Sequence, residues 1–484
     1  MNLPPPPQGD DAIITQFRPE HGQWELNDEN ITRIDPKTGQ TILYNYCKYM
    51  DSTPLEVYRY LIEVKGCDNN IQDNNKDTPL HIALRYFKGG DVTVLTYLLS
   101  QRGINANIKG NYGYTLLHYA CIHINILPLD IFKVLIGTLG ADVNAQAKNA
   151  NTPLHCALNQ FEPHDGIIAL TYLLSQGNVN VNIKDQSGCT LLHIACQQIN
   201  KFPLEIFKVL IETHGADVNV QNNSPSTSLR FAIKYFNPNE GGDVTVLTYL
   251  LTQKNINVDI KCNSGYTLLH DACEKINALP LDVFKLLIET LGFDVNARDN
   301  RDNTPLHHAL CNFNLNYGGD ITVLTYLLTQ KTVNIHIKNN YGYTLFHIAC
   351  QHINNLPLDV FKLLIQTMGF DVNIQDNNND TPLHQALGHL NPHNGGDVNV
   401  WAYLINQQNL NVNIKDSNGH TLLHLACICD IPDLYDFMDP EDDFTDSEGN
   451  LDNHRETKGE TFLCQIVEAI TERCVQQVLD EATF

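Results

Sequence analysis

Residues 112–144 read YGYTLLHYACIHINILPLDIFKVLIGTLGADVN, and residues 341–373 read YGYTLFHIACQHINNLPLDVFKLLIQTMGFDVN. The two stretches begin 229 residues apart and are identical at 24 of 33 positions, histidine and cysteine included. Either a catalytic kit is present in duplicate, or a structural brick is laid many times. The spacing of further copies separates the two. Thr-x-Leu-His or a near variant begins at Thr41, Thr78, Thr115, Thr152, Thr190, Thr227, Thr267, Thr304, Thr344, Thr381 and Thr421, and a degenerate copy, ETFLCQIV, places a twelfth at Thr461. Successive starts lie 37 to 40 residues apart, which is the signature of a repeat lattice and leaves no room for an inserted enzyme domain of ordinary size.

Two sub-types alternate. One reads TLLHxAC, LPLDVFKLLIET and GxDVNxQ; the other reads TPLHxAL, GGDVTVLTYLL and NVNIKxxxGY. Both parse into the same unit. Thr caps a helix start, and in the second sub-type Pro takes the first helical position, where its missing N–H costs nothing. A polar link with Pro or Gly-Gly precedes a second amphipathic helix, and the Gly/Asn/Asp-rich stretch before the next Thr has turn chemistry suited to a projecting hairpin.

TPLHxAL, the following Leu-Leu, and GADVN at 140–144 and 215–219 resemble the ankyrin repeat, over roughly residues 30–484. The resemblance implies an all-α fold: an ankyrin-type solenoid of about 11–12 helix-turn-helix repeats with short β-hairpin fingers. The period exceeds the usual length of about 33 by several residues. The surplus falls between the two helices, as in NPNEGGD (237–243) and INALPLD (276–282), and so lengthens the edge opposite the fingers.

The ends differ from the middle, as a stack with two exposed flanks requires. Residues 1–10 read as a disordered Pro-rich tail, 11–40 as an N-terminal cap, 41–429 as the repeat array, 430–460 as an acidic loop and 461–484 as a C-terminal capping helix. The 430–460 segment holds 12 acidic residues against Arg455 and Lys458.

Composition narrows the function. Lys and Arg number 31 against 55 Asp and Glu, a formal charge of −24, which argues against wrapping nucleic acid or coating an anionic membrane. No apolar run reaches the ~18 residues of a membrane span, and the opening MNLPPPPQGDDAIITQF lacks the basic and apolar regions of a Sec-type signal. Many of the 14 cysteines, six of them, recur at one helical position, which reads as reduced core residues of a cytoplasmic protein rather than a disulfide framework.

His-x-x-Cys at His118/Cys121, His193/Cys196, His270/Cys273, His347/Cys350 and His424/Cys427 puts both side chains on one helix face, where a metal site or a nucleophile is conceivable. Every pair falls at the same lattice position, and the ankyrin resemblance implies that this His bonds backbone groups of a neighbouring repeat. No catalytic residue, metal or cofactor is therefore expected. No Gly-rich phosphate loop, HExxH, GxSxG or kinase signature is present.

Asn144, Asn219, Asn296 and Asn373 close the GxDVN motif, where Asn suits a turn. The resemblance implies a second role for them, as substrates of β-hydroxylation by an oxygen-sensing dioxygenase. Function is expected on exposed finger residues. These are Tyr112, Tyr114, Tyr266, Tyr341 and Tyr343, with a recurring Ile-Lys at Lys109, Lys184, Lys261, Lys338 and Lys415, forming a Tyr/Lys ladder on the concave finger and inner-helix face that suits an extended acidic or apolar segment of a partner protein. The favoured reading is a monomeric, non-catalytic interaction scaffold. Its rival is a secreted, host-directed effector or adaptor in which 430–484 recruits or performs an activity in the host cytoplasm while the repeats select the target.

Overall fold

The computed structural model describes residues 31, 33–163, 166–389, 398–429 and 465–477. The tail at 1–10, the acidic segment 430–460 and the twelfth copy at Thr461 lie outside the described residues, as does most of the 11–40 cap. The chain forms two compact units that divide after Gln253.

Each unit is a stack of helix pairs. In the first, the leading helices of the repeats are Ile42–Lys48, Pro79–Arg85, Leu116–Ile122, Pro153–Gln160, Leu191–Gln197 and Ser228–Tyr235, and each packs on the next. In the second they are Leu268–Glu274, Pro305–Asn312, Leu345–Gln351, Pro382–Gly388 and Leu422–Cys429, again packed in succession. A second helix follows each leading helix up to Val398–Ile405, and a final helix runs over 465–477.

Local chemistry explains the starts. Thr78 is extended (φ −95°, ψ 166°), and the usual Glu of a capping box is replaced by His81 at the third helical position. The imidazole Nδ1 accepts the Thr78 amide at 3.1 Å, satisfying a donor the helix cannot. Second helices begin after Pro128, Pro203, Pro280 and Pro357, or after Asp243 and Asp320, whose carboxylates accept the amides of Thr245 and Thr322 at 2.8 Å. Their burial comes from one apolar stripe. Phe132, Phe207, Phe284 and Phe361 of the LPLDVFK segments are completely buried, and Phe161 stacks on Phe202 at 4.5 Å across neighbouring repeats.

The second helix of the first sub-type ends in a widened turn that the sequence pattern does not announce. Leu139 N bonds Val134 O at 3.0 Å, five residues back, and Ala141 N bonds Leu135 O at 2.8 Å, six residues back. Between them Gly140 takes φ +63°, the left-handed position that closes a helix in this way. The same arrangement recurs at Gly215, Gly292 and Gly369.

The fingers are present in reduced form. Most are closed by two short-range backbone bonds, such as Asp73 N to Asp77 O at 2.9 Å and Lys76 N to Asp73 O at 2.8 Å, and the described residues contain a single isolated bridge, Gln221 with Thr227. The physical reason is competition for donors. Asp73 Oδ1 accepts from Asn75 and Asp77, and Asp185, Asp299, Asn339, Asp376 and Asp416 repeat the device, so side chains take the amides that a strand ladder would use.

At the C-terminal end, Ile466 and Ile470 are buried, and Arg473 donates to the carbonyls of Gln407 at 3.0 Å and Gln408 at 2.8 Å.

Candidate partner-binding surface

Most of the motif histidines are consumed by the lattice. His118 Nδ1 accepts the Thr115 amide at 3.1 Å and lies 2.8 Å from its hydroxyl, while Nε2 donates to the Asn151 carbonyl at 3.0 Å in the next finger. An accepting Nδ1 and a donating Nε2 define one neutral tautomer. Burial holds His81, His118, His270, His307 and His347 in that state and pushes each down to about 4. The paired Cys121, Cys196, Cys273 and Cys350 are wholly buried, and burial raises their thiols well above the ordinary range, so they are poor thiolates. His424 and Cys427 are exposed, yet His424 makes the same box with Thr421. Among the described residues, no three of His, Cys, Asp and Glu gather as a metal site would require.

Four of the five ladder lysines are also tied, while Lys415 is exposed. Lys109, Lys184, Lys261 and Lys338 each donate from Nζ to a backbone carbonyl 37 residues on, at Gln146, Gln221, Arg298 and Gln375, at 2.7 to 3.0 Å. They stitch finger to finger rather than standing free for a partner. Three of the four motif asparagines do the same on both amide atoms. Asn144 Nδ2 donates to Asn178 O at 2.7 Å and its Oδ1 accepts Asn180 N at 2.9 Å; Asn296 and Asn373 repeat the pair with Thr332 and Asn334, and with Asn409 and Asn411. Asn125 and Asn277 form a matching bridge in the inter-helix links, to Gln160 and Glu162 and to Asn312 and Asn314.

The tyrosines split into two classes. Tyr112 and Tyr341 sit at finger tips with 62% and 57% of their surface exposed. Tyr114, Tyr266 and Tyr343 precede the capping Thr and stack on its histidine, with ring centroids 5.1 Å, 5.4 Å and 5.8 Å from His118, His270 and His347. The first class is free to meet a partner, whereas the second braces the lattice.

A further row was not picked out from sequence, although its signal is there. The residue seven after the capping Thr is Lys48, Arg85 and Lys234 in three repeats, and a tyrosine follows each time: Tyr49, Tyr86 and Tyr235. These rings are 37%, 41% and 37% exposed. Lys48 Nζ lies 5.6 Å from the Tyr49 ring and 5.5 Å from that of Tyr86 in the next repeat; Lys234 lies 5.8 Å from Tyr235. Arg85 rests over the Tyr119 ring at 5.3 Å and bonds buried Asp77 at 2.9 Å. In the second unit the same position carries Glu274, Cys311, Gln351 and Gly388. There His308 bonds Asp299 at 2.9 Å and lies 3.7 Å from Glu274.

Comparison with known proteins places this architecture. A family model described as ankyrin repeats (3 copies) matches residues 9–110, 50–147, 117–222, 200–299, 229–339, 280–376, 314–394 and 346–438. Among curated proteins, an ankyrin repeat protein of Acanthamoeba polyphaga mimivirus is 30% identical over 170 residues, which are 35% of this chain and 24% of that one. One of Fowlpox virus (strain NVSL) is 32% identical over 146 residues, 26% of this chain and 22% of that one. A protein named as a serine/threonine-protein kinase of Dictyostelium discoideum is 26% identical over 116 residues, 24% of this chain and 13% of the kinase. The chain thus spans between 13% and 24% of the length of these relatives. Among solved structures, the ankyrin repeat domain of Bcl-3 is 21% identical with a TM-score of 0.38, covering 51% of this chain and 98% of that one. No helix among the described residues is long and apolar enough to cross a membrane.

Proposed function

The chain belongs to the ankyrin-repeat family, and from that premise we propose that it is a non-catalytic scaffold that holds a partner protein against its finger tips and leading helices. One observation carries the reading. The groups that might have done chemistry (the histidines, cysteines and asparagines of the motif) are spent on bonds and burial within the stack, whereas Tyr112 and Tyr341 stand exposed at finger tips. Tyrosine presents a large amphipathic contact area with only two side-chain torsions to immobilise, which suits an anchor. Of the expected ladder, the tip tyrosines serve as anchors; Tyr114, Tyr266 and Tyr343 and the tied lysines serve to hold the tips in register.

Affinity capture from cells expressing the full chain identifies a partner, and purified components then test the surface. The double change Tyr112→Ala and Tyr341→Ala is expected to weaken binding by about 1–3 kcal/mol without unfolding the chain. Glu240→Lys, in the link between helices, is expected to change it little. The opposite result, with an unaffected tip variant and binding abolished by the link variant, moves the surface to the other edge.

A further inference from the structure

The leading helices of the first unit carry a charge opposite to that of the chain. Six helices, Ile42–Lys48 to Ser228–Tyr235, contain no Asp or Glu, and they contain Lys48, Arg85, Arg230 and Lys234. The five leading helices of the second unit contain no Lys or Arg, and one of them holds Asp271 and Glu274. In a chain with 55 acidic and 31 basic residues, an acid-free row is a local reversal.

The cations of that row are also set among aromatic rings. Lys48 lies between the Tyr49 and Tyr86 rings at 5.6 and 5.5 Å and Lys234 beside Tyr235 at 5.8 Å, and neither lysine has a carboxylate within ion-pair distance among the described residues. Arg85 is half-committed, since one guanidinium nitrogen bonds Asp77; its carbon sits 5.3 Å over Tyr119. Asp51, two residues past Tyr49, and Glu162, three past Asn159 and paired with Lys201 at 2.8 Å, are exposed acids at the margin of the row. Between the two cationic ends, the same position holds Ile122, Asn159 and Gln197, neutral and at least partly exposed.

We propose that this row, Lys48–Tyr49, Arg85–Tyr86 and Lys234–Tyr235, is the docking track for an extended, carboxylate-rich segment of the partner protein. The inference rests on the scaffold reading above and adds the chemistry of what is held. Carboxylates meet Lys48, Arg85 and Lys234, while apolar side chains between them lie on the tyrosine rings. Five repeats separate Thr41 from Thr227. At about 10 Å per packed helix the track is about 50 Å long, which an extended segment of about 16 residues spans.

The probe is a fluorescein-labelled peptide of about 16 residues alternating Glu and Ala, with a Gln/Ala counterpart and an oligothymidylate of equal length, titrated with the full chain and read by anisotropy. The Glu peptide is expected to bind at least about tenfold more tightly than the Gln peptide, and to weaken several-fold between about 50 and 200 mM salt. The double change Lys48→Glu and Lys234→Glu, at two exposed sites, is expected to remove that binding, and Tyr86→Leu to weaken it about threefold. Glu274→Gln is the control and leaves it unchanged. Equal affinity for the Glu and Gln peptides, or no effect of the two charge reversals, overturns the proposal. Tighter binding of the oligothymidylate than of the Glu peptide also overturns it, in favour of a nucleic-acid ligand. If the reversals abolish peptide binding but leave a captured partner bound through Tyr112 and Tyr341, only the acidic track fails. If a captured partner ignores both sets of changes, the scaffold surface itself is misplaced.

Discussion

His118 Nε2 lies 3.0 Å from the carbonyl oxygen of Asn151, 33 residues further along the chain, while its Nδ1 accepts the amide of Thr115. One ring thereby caps its own helix and fastens the next finger. It can do both only when neutral, because protonation would turn the accepting nitrogen into a donor facing an N–H.

Stability is therefore expected to fall with acid. Burial depresses His81, His118, His270, His307 and His347 from 6.5 to about 4. Between those values the unfolded chain binds more protons than the folded one, so stability is full above about pH 6.5 and is lost as pH falls towards 4. Each ring contributes on the order of 3 kcal/mol over that window. Asp380, raised to about 6 chiefly by burial and next by Asp376, acts in the opposite sense, as does Asp77, also raised by burial, but these are two groups against five. Thermal melts at constant ionic strength should show a steep drop in Tm between pH 6.5 and 4.5; a flat profile would contradict the neutral-histidine lattice.

Two tyrosines of one finger should behave differently. Tyr112→Ala removes a ring that is 62% exposed and should leave the free energy of urea unfolding within about 0.5 kcal/mol of the parent. Tyr114→Ala removes the ring stacked 5.1 Å from His118 and should cost about 1–2 kcal/mol. Partner affinity should follow the reverse order.

Asn296→Ala severs both of its inter-repeat bonds, 2.7 Å to Thr332 O and 2.8 Å from Asn334 N. Partial exposure lets water replace them in part, so the expected loss is about 1–2 kcal/mol. Because each repeat touches only its neighbours, hydrogen exchange should rise at Thr332 and Asn334 more than at distant fingers. Uniform acceleration throughout the second unit would argue for longer-range cooperativity.

At the C-terminal end, Arg473→Ala gives up the bonds to the Gln407 and Gln408 carbonyls and should cost about 1–3 kcal/mol. Removing residues 461–484 takes away buried Ile466 and Ile470 and should leave the last helices fraying or the chain self-associating. A monomeric truncation with an unchanged melting curve would show that 465–477 does not cap the stack.

Much of the fold is legible in the amino-acid order because its causes are local. A capping Thr, a histidine three residues on, apolar residues at helical spacing, and a Gly/Asn/Asp turn repeat every 37 to 40 residues, and each device works within a few residues of itself. The finer form of the fingers was less legible. The same Asn and Asp residues that mark a turn also absorb its amides, so the strands are reduced to tight turns with short-range closing bonds.

The candidate surface depended on stacking. Lys109 and Lys338 read as free cations along the chain, but packing brings each to a carbonyl 37 residues away. Tyr112 and Tyr114 differ by two positions in one motif, and only the fold sets one in solvent and the other on a histidine. Lys48 and Tyr86 are 38 residues apart in sequence and 5.5 Å apart in space. The amino-acid order by itself determined the brick, because caps, turns and apolar stripes are short-range chemistry. The tertiary structure alone decided which side chains the lattice consumes and which it leaves exposed, because that depends on what the neighbouring repeat presents at the same position.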